Sequence, residues 1–494
     1  MALNVVFEVV EGSAKGRRIV FDQYGVCVVG RNDGCAFQLP EEDEGASRYH
    51  FIIEANPPDV HLRDLGSMNG THVNGVRHGG RGEEDAATDL QRAPRHPEVV
   101  LHHGDKVKAG ATVFEMRIES TTPCARCAKP VVLLGASAVA RRERQLFCEA
   151  CEPLLGTARL DLRNQPSVRC ARCGTEAAGE CGGKTGSYLC RSCVETSEAD
   201  PVLGLTALMR QTGLLAGQKE GVVAGYKIVS KIGSGSNGTV YLARRLADGR
   251  EVALKVMLAK VAVDEDGQKY FMREIKILSR LVHKNIVALL EAGSAGNGFY
   301  FAMEYCALGS VELLLKEKGG RLTVGEAAPL VVGILEGLSH AHGRNIVHRD
   351  INPGNILLAR TGEGVVAKLA DFGLSKNFAR AGFSGFTLTG VVGGTLSYMP
   401  REQLLDFRMA KPCCDVWSVG ASFYKMLTGA TPLNFDTGVD PLTVVTRYEL
   451  VPVRRRGVTL PARIAAVIDT ALAPEPSDRF PHAGQMLEAL RSAL

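Results

Sequence analysis

Short apolar runs alternate with polar positions along residues 1–118. VVFEVV, RRIVF, VCVVG, YHFIIE, VHLRDL and VFEMRIE are separated by Gly, Asp, Asn and Pro. Successive side chains of a strand face opposite sides, so these runs predict half-buried strands, and their spacing predicts an all-β sandwich. Within this stretch residues 77–98 are polar and mixed in charge, the pattern of a long surface loop. The texture changes at 119. Residues 119–198 lack long apolar runs and are rich in paired cysteines, and residues 199–224 read as a linker with one short helical pattern, LGLTALMRQTGLL. From Tyr226 onward YKIVSKIG, TVYLARR and EVALKVM read as strands. YFMREIKILSRL then places Phe271, Ile275, Leu278 and Leu281 on one helical stripe. The remainder is mostly helical, broken by Gly and Pro.

With 494 residues the chain is too long for one core, and about three domains are expected. A hydrophobic content of 45% and a charged content of 23% are those of an ordinary globular protein. The net charge of +4 is small for this length and argues against a dedicated nucleic-acid binder. No run of about 18 apolar residues occurs, so no membrane span is expected. The opening MALNVVFEVVEG alternates like a strand and lacks the basic start and cleavage site of a signal peptide. A cytoplasmic location is therefore expected, where the 14 cysteines stay reduced or bind metal rather than form disulfides.

Candidate chemistry concentrates in the C-terminal half. GSGSNGTV, Gly233 to Val240, is a glycine-rich turn whose backbone N–H groups can approach phosphate oxygens without a Cβ clash. By itself it is equally a tight hairpin. Lys255 follows in VALK on the next strand and Glu274 on the helix, so a lysine can clamp phosphates while a helical carboxylate holds it. Alone, that pair is a solvated ion pair. Then come His348-Arg349-Asp350 with Asn355, and Asp371-Phe372-Gly373. Asp350 suits a base that accepts a hydroxyl proton, and Asn355 and Asp371 offer hard oxygens to Mg²⁺.

These motifs, in this order, resemble the eukaryotic-like protein kinases over roughly residues 226–490. The resemblance implies a two-lobed α+β fold, an N-lobe to about 304 and a C-lobe beyond, within a domain spanning 225–494. It implies that Gly233, Gly235, Gly238, Val240 and Ala253 enclose ATP, that Lys255 holds the α/β-phosphates and pairs with Glu274, and that the backbones of Glu304 and Cys306 bond adenine behind Met303. Mg²⁺ (or Mn²⁺) would sit on Asn355 and Asp371. Asp415 in DVWSVG resembles the acid that braces the HRD backbone, and Glu402 and Arg479 resemble the family's C-lobe ion pair.

Two departures stand out. Members acting on serine or threonine usually carry a lysine where this chain has Asn352, and losing one preorganised donor or cation there typically costs about 10²–10³ in rate. Asn352 can still donate an N–H. The expectation is an active, slowed serine/threonine kinase, with a pseudokinase scaffold as the alternative. Pro400-Arg401-Glu402 also stands where Ala-Pro-Glu is usual. Arg349 beside Asp350 can pair with a phosphate on the activation segment, which contains Ser384, Thr387, Thr389, Thr395 and Ser397. TLTGVVGGT resembles bacterial members, which implies autophosphorylation at Thr387 and Thr389, with dimerisation if the reaction runs in trans.

In the β-rich region Gly30-Arg31, Ser47-Arg48-Tyr49-His50, Asp64 to Gly75, Gly104-Asp105 and Phe114 together resemble a forkhead-associated (FHA) domain over about residues 3–118. The resemblance implies phosphothreonine binding. Arg31 offers a bidentate fork, Ser47 a hydroxyl, Arg48 added charge, and Asn69 a bond to the bound peptide backbone; His50 and Asn74 brace the loops. Phosphothreonine proteins, including the chain's own activation segment, and protein substrates are the implied partners.

Cys124-x2-Cys127 precedes Cys148-x2-Cys151 by 20 residues, and Cys170-x2-Cys173 precedes Cys190-x2-Cys193 by 16. Two CxxC pairs per unit is the spacing of tetrahedral structural Zn²⁺ sites, giving units at about 120–155 and 166–197. A region so poor in apolar residues needs such a staple to fold. Iron or a redox dithiol is the alternative, pairing can cross between knuckles, and Cys181 is a spare thiol or substitute ligand.

Overall fold

The computed structural model describes residues 3–22, 25–57, 59–80, 98–123, 130–132, 141–142, 145–146, 170–175, 193, 201–211, 222–235, 238–258, 275, 278–295, 298–362, 364–372, 395–405, 410–435 and 441–494. Its contacts divide the chain into two compact units. One comprises residues 1–162 with 400–410 and 434–449; the other comprises 163–399 with 411–433 and 450–494.

In the first unit two sheets face each other. One runs in the order Arg18–Phe21, Leu3–Glu11, Thr112–Pro123, Lys106–Ala109, Thr71–Val73, Val76–His78; the other runs Phe37–Gln38, Gly25–Gly30, Phe51–Asn56, Asp59–Asp64, Val99–Val100. The alternating runs of the sequence are these strands. Arg18–Phe21 reads exposed, buried, exposed, buried, so only alternate residues enter the core. That core gathers Phe7, Phe21, Phe37, Phe51, Phe114 and Met116 with Val and Ile from both sheets. Phe37 and Phe51 each meet the Phe114 ring edge-on, at centroid distances of 5.3 and 5.9 Å. Polar loops between the strands are left to one another, and they form the first candidate site.

The second unit contains a six-stranded antiparallel sheet in the order Val222–Val223, Tyr226–Gly235, Gly238–Arg245, Glu251–Leu258, Gly298–Glu304, Leu289–Ala295. The two faces of this sheet bury different partners. Val252, Leu254, Val256, Tyr300 and Ala302 pack with helix Pro201–Gln211, whereas Met257, Phe299 and Phe301 pack with Ile275. Beyond the sheet lie helices Val311–Glu317, Val324–His342, Pro412–Thr428, Ala462–Ala471 and Ala483–Ala493. Helix Val324–His342 begins with a reciprocal capping box between Thr323 and Glu326. Helix Pro412–Thr428 is buried along nearly its whole length, centred on Trp417, and ends at Gly429 with φ +74°. The hairpin Ile356–Thr361/Gly364–Leu369 follows the catalytic-loop residues in the chain, and its Leu369 exchanges backbone hydrogen bonds with Asn285 and Val287. Among the described residues no helix is long and apolar enough to cross a membrane.

Candidate active site and phosphate-reading loops

The glycine turn closes strands Tyr226–Gly235 and Gly238–Arg245, with Gly235 opposite Gly238. Gly238 has φ +114°, and a Cβ there would lie 2.5 Å from the Val256 carbonyl oxygen, so only glycine fits. Gly233 is less constrained, since the nearest atom to an added Cβ is 3.9 Å away. Strand register then sets Val240 opposite Lys255 and Ala253 opposite Met303. Lys255 is buried, and its Nζ donates to Asp371 Oδ2 at 2.7 Å. Glu274, its expected partner, lies outside the described residues, as do Thr387 and Thr389. Glu304 Nα–H donates to the Ala288 carbonyl at 2.9 Å while its carboxylate takes Lys368 Nζ at 3.0 Å. Cys306 is buried, and burial together with the Glu304 carboxylate pushes its thiol up to about 11. Leu278, Leu281, Leu289, Phe301 and Met303 line an apolar cavity that ends at Asp371 and Phe372.

The catalytic loop is fixed from beneath by a fully buried acid. Asp415 accepts from the backbone N–H groups of His348 and Arg349, each at 2.8 Å, and pairs with His342 Nε2 at 2.8 Å. Arg349 is held at φ +70°, a conformation a non-glycine residue keeps only when its surroundings impose it. His348 is wholly buried; its Nε2–H donates to the Ala370 carbonyl at 2.9 Å and its Nδ1 accepts from Asp350 N–H at 3.3 Å. Those two bonds select one neutral tautomer, and burial lowers the ring's basicity. Its ring lies against Phe372, with centroids 4.4 Å apart.

Asp350 is clasped by two amides. Asn352 Nδ2 donates to Oδ1 at 3.1 Å and Asn355 Nδ2 to Oδ2 at 2.9 Å. The orientation of Asn352 follows from its other end, whose Oδ1 accepts from Gly354 N–H at 2.9 Å and Asn355 N–H at 3.2 Å, capping the short turn Pro353–Asn355. Desolvation pushes the Asp350 carboxyl up to about 7, and the nearby Asp371 carboxylate adds to the rise; the amides of Asn355 and Asn352 and the charge of Lys255 oppose it. A carboxylate so placed is poised to take a proton near neutral pH. The oxygen of Asn355 and the carboxylate of Asp371 make a hard-donor set that fits Mg²⁺.

In the sandwich three loops are laced together. Arg31 N–H and Asn32 N–H donate to the carbonyls of Ser47 and Arg48, at 3.1 and 2.9 Å. Arg31 Nε donates to the Ala46 carbonyl at 2.7 Å, Ser47 Oγ accepts from Met68 N–H at 2.9 Å, and Asn69 Nδ2 donates to the Gly45 carbonyl at 2.9 Å. Arg31 and Ser47 are half-buried, while Arg48 and Asn69 are exposed. His50 is wholly buried and bridges Ser47 N–H, at 3.0 Å, to the Gly70 carbonyl, at 3.2 Å. Asn74 links to Asp105 and Lys106, the brace the sequence suggests. Sequence reasoning missed the hub of these loops, Asp64. Its buried carboxylate accepts from Gly66, Ser67 and Gly80 N–H and from the hydroxyls of Ser67 and Thr71, at 2.6–3.2 Å.

Of the eight paired cysteines, Cys124, Cys127, Cys148, Cys151 and Cys190 lie outside the described residues. The sulfurs of Cys170, Cys173 and Cys193 lie within 4.8 Å of one another. The turn Cys170–Gly174 closes through Gly174 N–H to the Cys170 carbonyl at 3.0 Å, with Gly174 at φ +72°. Hydrogen bonds with Thr175, and with the neighbouring sulfurs, bring the Cys173 thiol down to about 6. Thiolates in such proximity fit a thiophilic divalent metal.

Residues 226–489 match the protein kinase domain family. The chain belongs to the protein kinase family. Residues 27–110 match the FHA domain. The kinase is 35% identical over 280 residues to the serine/threonine-protein kinase PknJ of Mycobacterium tuberculosis (strain ATCC 25618 / H37Rv), covering 55% of this chain and 46% of PknJ. To PknL of the same strain it is 35% identical over 275 residues, covering 54% of this chain and 66% of PknL. The tyrosine-protein kinase MasK of Myxococcus xanthus (strain DK1622) is 33% identical over 284 residues, covering 54% and 43%. The matched segment thus spans between about two fifths and two thirds of these relatives' own lengths.

Proposed function

We propose that this kinase transfers the γ-phosphoryl group of ATP to serine or threonine hydroxyls, including its own Thr387 and Thr389, and that its FHA domain reads phosphothreonine. The observation that supports transfer most strongly is the placement of Asp350 between two amide donors, near Asp371 and Lys255. Magnesium, held by Asn355 and Asp371 when bound, would offset charge on the transferring group. Lys255 would orient the α/β-phosphates. Asp350 would take the hydroxyl proton as the substrate oxygen bonds phosphorus and the bond to the ADP oxygen breaks. Arg349, Thr387 and Thr389 would link phosphorylation to ordering of the activation segment, with two copies meeting if the reaction is in trans.

Arg31, Ser47, Arg48 and Asn69 come from loops already tied to one another, which supports a preorganised phosphothreonine site at the end of the sandwich. Its ligands would be phosphothreonine proteins or the activation segment itself, in the cytoplasm. Cys170, Cys173 and Cys193, with Cys190 completing the set from its place in the sequence, would hold one structural zinc, and Cys124, Cys127, Cys148 and Cys151 a second. The domain layout that accompanies this reading is 1–118, 119–198 and 225–494, joined by 199–224.

Phosphoamino-acid analysis after incubation with Mg²⁺ and labelled ATP tests the assignment, with Asp350→Asn beside the wild type. Phosphothreonine or phosphoserine in the wild type alone supports it. Phosphotyrosine alone overturns the residue class. Nucleotide uptake with no label in either protein overturns the enzyme in favour of a scaffold.

A further inference from the structure

Helix Pro201–Gln211 lies in what the sequence presents as a connecting stretch, yet it is a packing element. Val202, Leu205, Leu208 and Met209 form one stripe and are buried against Val252, Leu254, Val256, Tyr300 and Ala302 of the kinase sheet. Cys170 and Cys193 belong to the same buried cluster. A helix of 11 residues is marginal in water by itself, so its position depends on what it packs against and on what anchors its ends. Arg172 Nη1 donates to the Cys193 carbonyl at 3.5 Å, drawing the two cysteine segments together.

The strand beneath that helix is the one that carries Lys255. Because strand side chains alternate, Val252, Leu254 and Val256 face the helix while Ala253 and Lys255 face the other way. Whatever firms the outer face therefore firms the strand that aims Lys255 at Asp371. Four thiolates around zinc sit about 3.8 Å apart, given Zn–S bonds of about 2.3 Å. The three described sulfurs already approach that spacing.

We propose that zinc on Cys170, Cys173 and Cys193 is a brace for the kinase fold: it locks helix Pro201–Gln211 onto the outer face of the sheet and thereby steadies strand Glu251–Leu258 and its lysine. This rests on the metal reading of the cysteines given above. Metal binding that requires a folded site adds its free energy to that of the elements forming the site. Linkage makes the coupling reciprocal, so metal at the cysteines and nucleotide at Lys255 would favour each other's binding.

The test uses the full chain. Zinc content is measured in the wild type and in Cys173→Ser, which removes the exposed ligand and leaves the buried cluster intact. Hydrogen exchange is then followed over residues 201–211 and 251–258. Wild-type protein stripped with a chelator and refilled with zinc provides a second comparison that involves no substitution. The expected result is one zinc per chain fewer in Cys173→Ser. Exchange in both segments should rise by about tenfold or more on metal loss, as local opening becomes easier, and should reverse on refilling the stripped wild type. Unchanged zinc in Cys173→Ser overturns the metal reading itself. Zinc lost by the variant, or stripped from the wild type, with both segments exchanging as before leaves the metal reading standing and overturns the brace.

Discussion

Asn352 donates through its amide nitrogen to Asp350 Oδ1 while its amide oxygen caps the turn that delivers Asn355 to Asp350 Oδ2. The residue that stands where a lysine is usual therefore supports Asp350 from two sides. Asn352→Ala should lower kcat by about 10²–10³-fold, the range expected when one preorganised donor is lost, with KM for ATP nearly unchanged. Asn352→Lys restores a cation but removes the cap. It should lower the pH midpoint of activity, because a positive charge beside Asp350 favours its ionised form. Steady-state kinetics of both variants across pH 5.5–9 checks this, given buffers on either side of the about 7 of Asp350.

The raised pKa of Asp350 also predicts how stability depends on pH. In the unfolded chain the carboxyl ionises near its ordinary value of about 4; in the fold it does so at about 7. Between those values the folded state binds more protons than the unfolded one, so this group's contribution to stability falls as pH rises, then levels off above 7. Asp350→Asn removes the effect. The variant should melt a few degrees higher than wild type at pH 8 and differ little at pH 4.5, as read by calorimetry without nucleotide.

At the glycine turn, Gly238→Ala and Gly233→Ala should behave differently. The first sets a Cβ against the Val256 carbonyl at a positive φ; the second meets only the Val240 side chain, at an ordinary van der Waals distance of 3.9 Å. Titration calorimetry with magnesium and a non-hydrolysable ATP analogue should show about tenfold or greater loss of affinity for Gly238→Ala, the cost of about 1.4 kcal/mol or more of strain. Gly233→Ala should stay within about threefold of wild type.

Two substitutions in the sandwich separate binding from folding. Asp64→Ala leaves five donors without their acceptor in a buried site, which should destabilise the domain by about 3 kcal/mol or more. Arg31→Lys keeps a cation but loses the bidentate fork, and should abolish binding of a phosphothreonine peptide in fluorescence anisotropy with little change in melting temperature. His50, whose basicity burial lowers and whose ring nitrogens are both bonded, should add no pH dependence of its own to that binding, so the profile should follow the second ionisation of the phosphate at about 6.

The strands of residues 1–118 were legible in the sequence because a period of two with one buried face leaves few alternatives. The catalytic-loop residues were legible because their chemistry is packed into eight consecutive positions, His348 to Asn355. Other relationships are carried by contacts no spacing displays. Lys255 and Asp371 are 116 residues apart, and their ion pair arises where the middle of strand Glu251–Leu258 meets the turn after Leu369. Asp64 reads as ordinary turn chemistry until its five donors converge. Asn352 reads as a missing charge until its two-ended amide is seen. LGLTALMRQTGLL reads as one short helix in a linker, but nothing in it shows the sheet that the helix covers, which begins at Val222.

The most direct test is single-turnover transfer from magnesium-bound labelled ATP at pH 8, comparing wild type with Asp350→Asn under conditions where both bind nucleotide equally. A catalytic base at Asp350 predicts label on threonine in the wild type and at least about 100-fold slower transfer in the variant. Equal rates in the two proteins would contradict it.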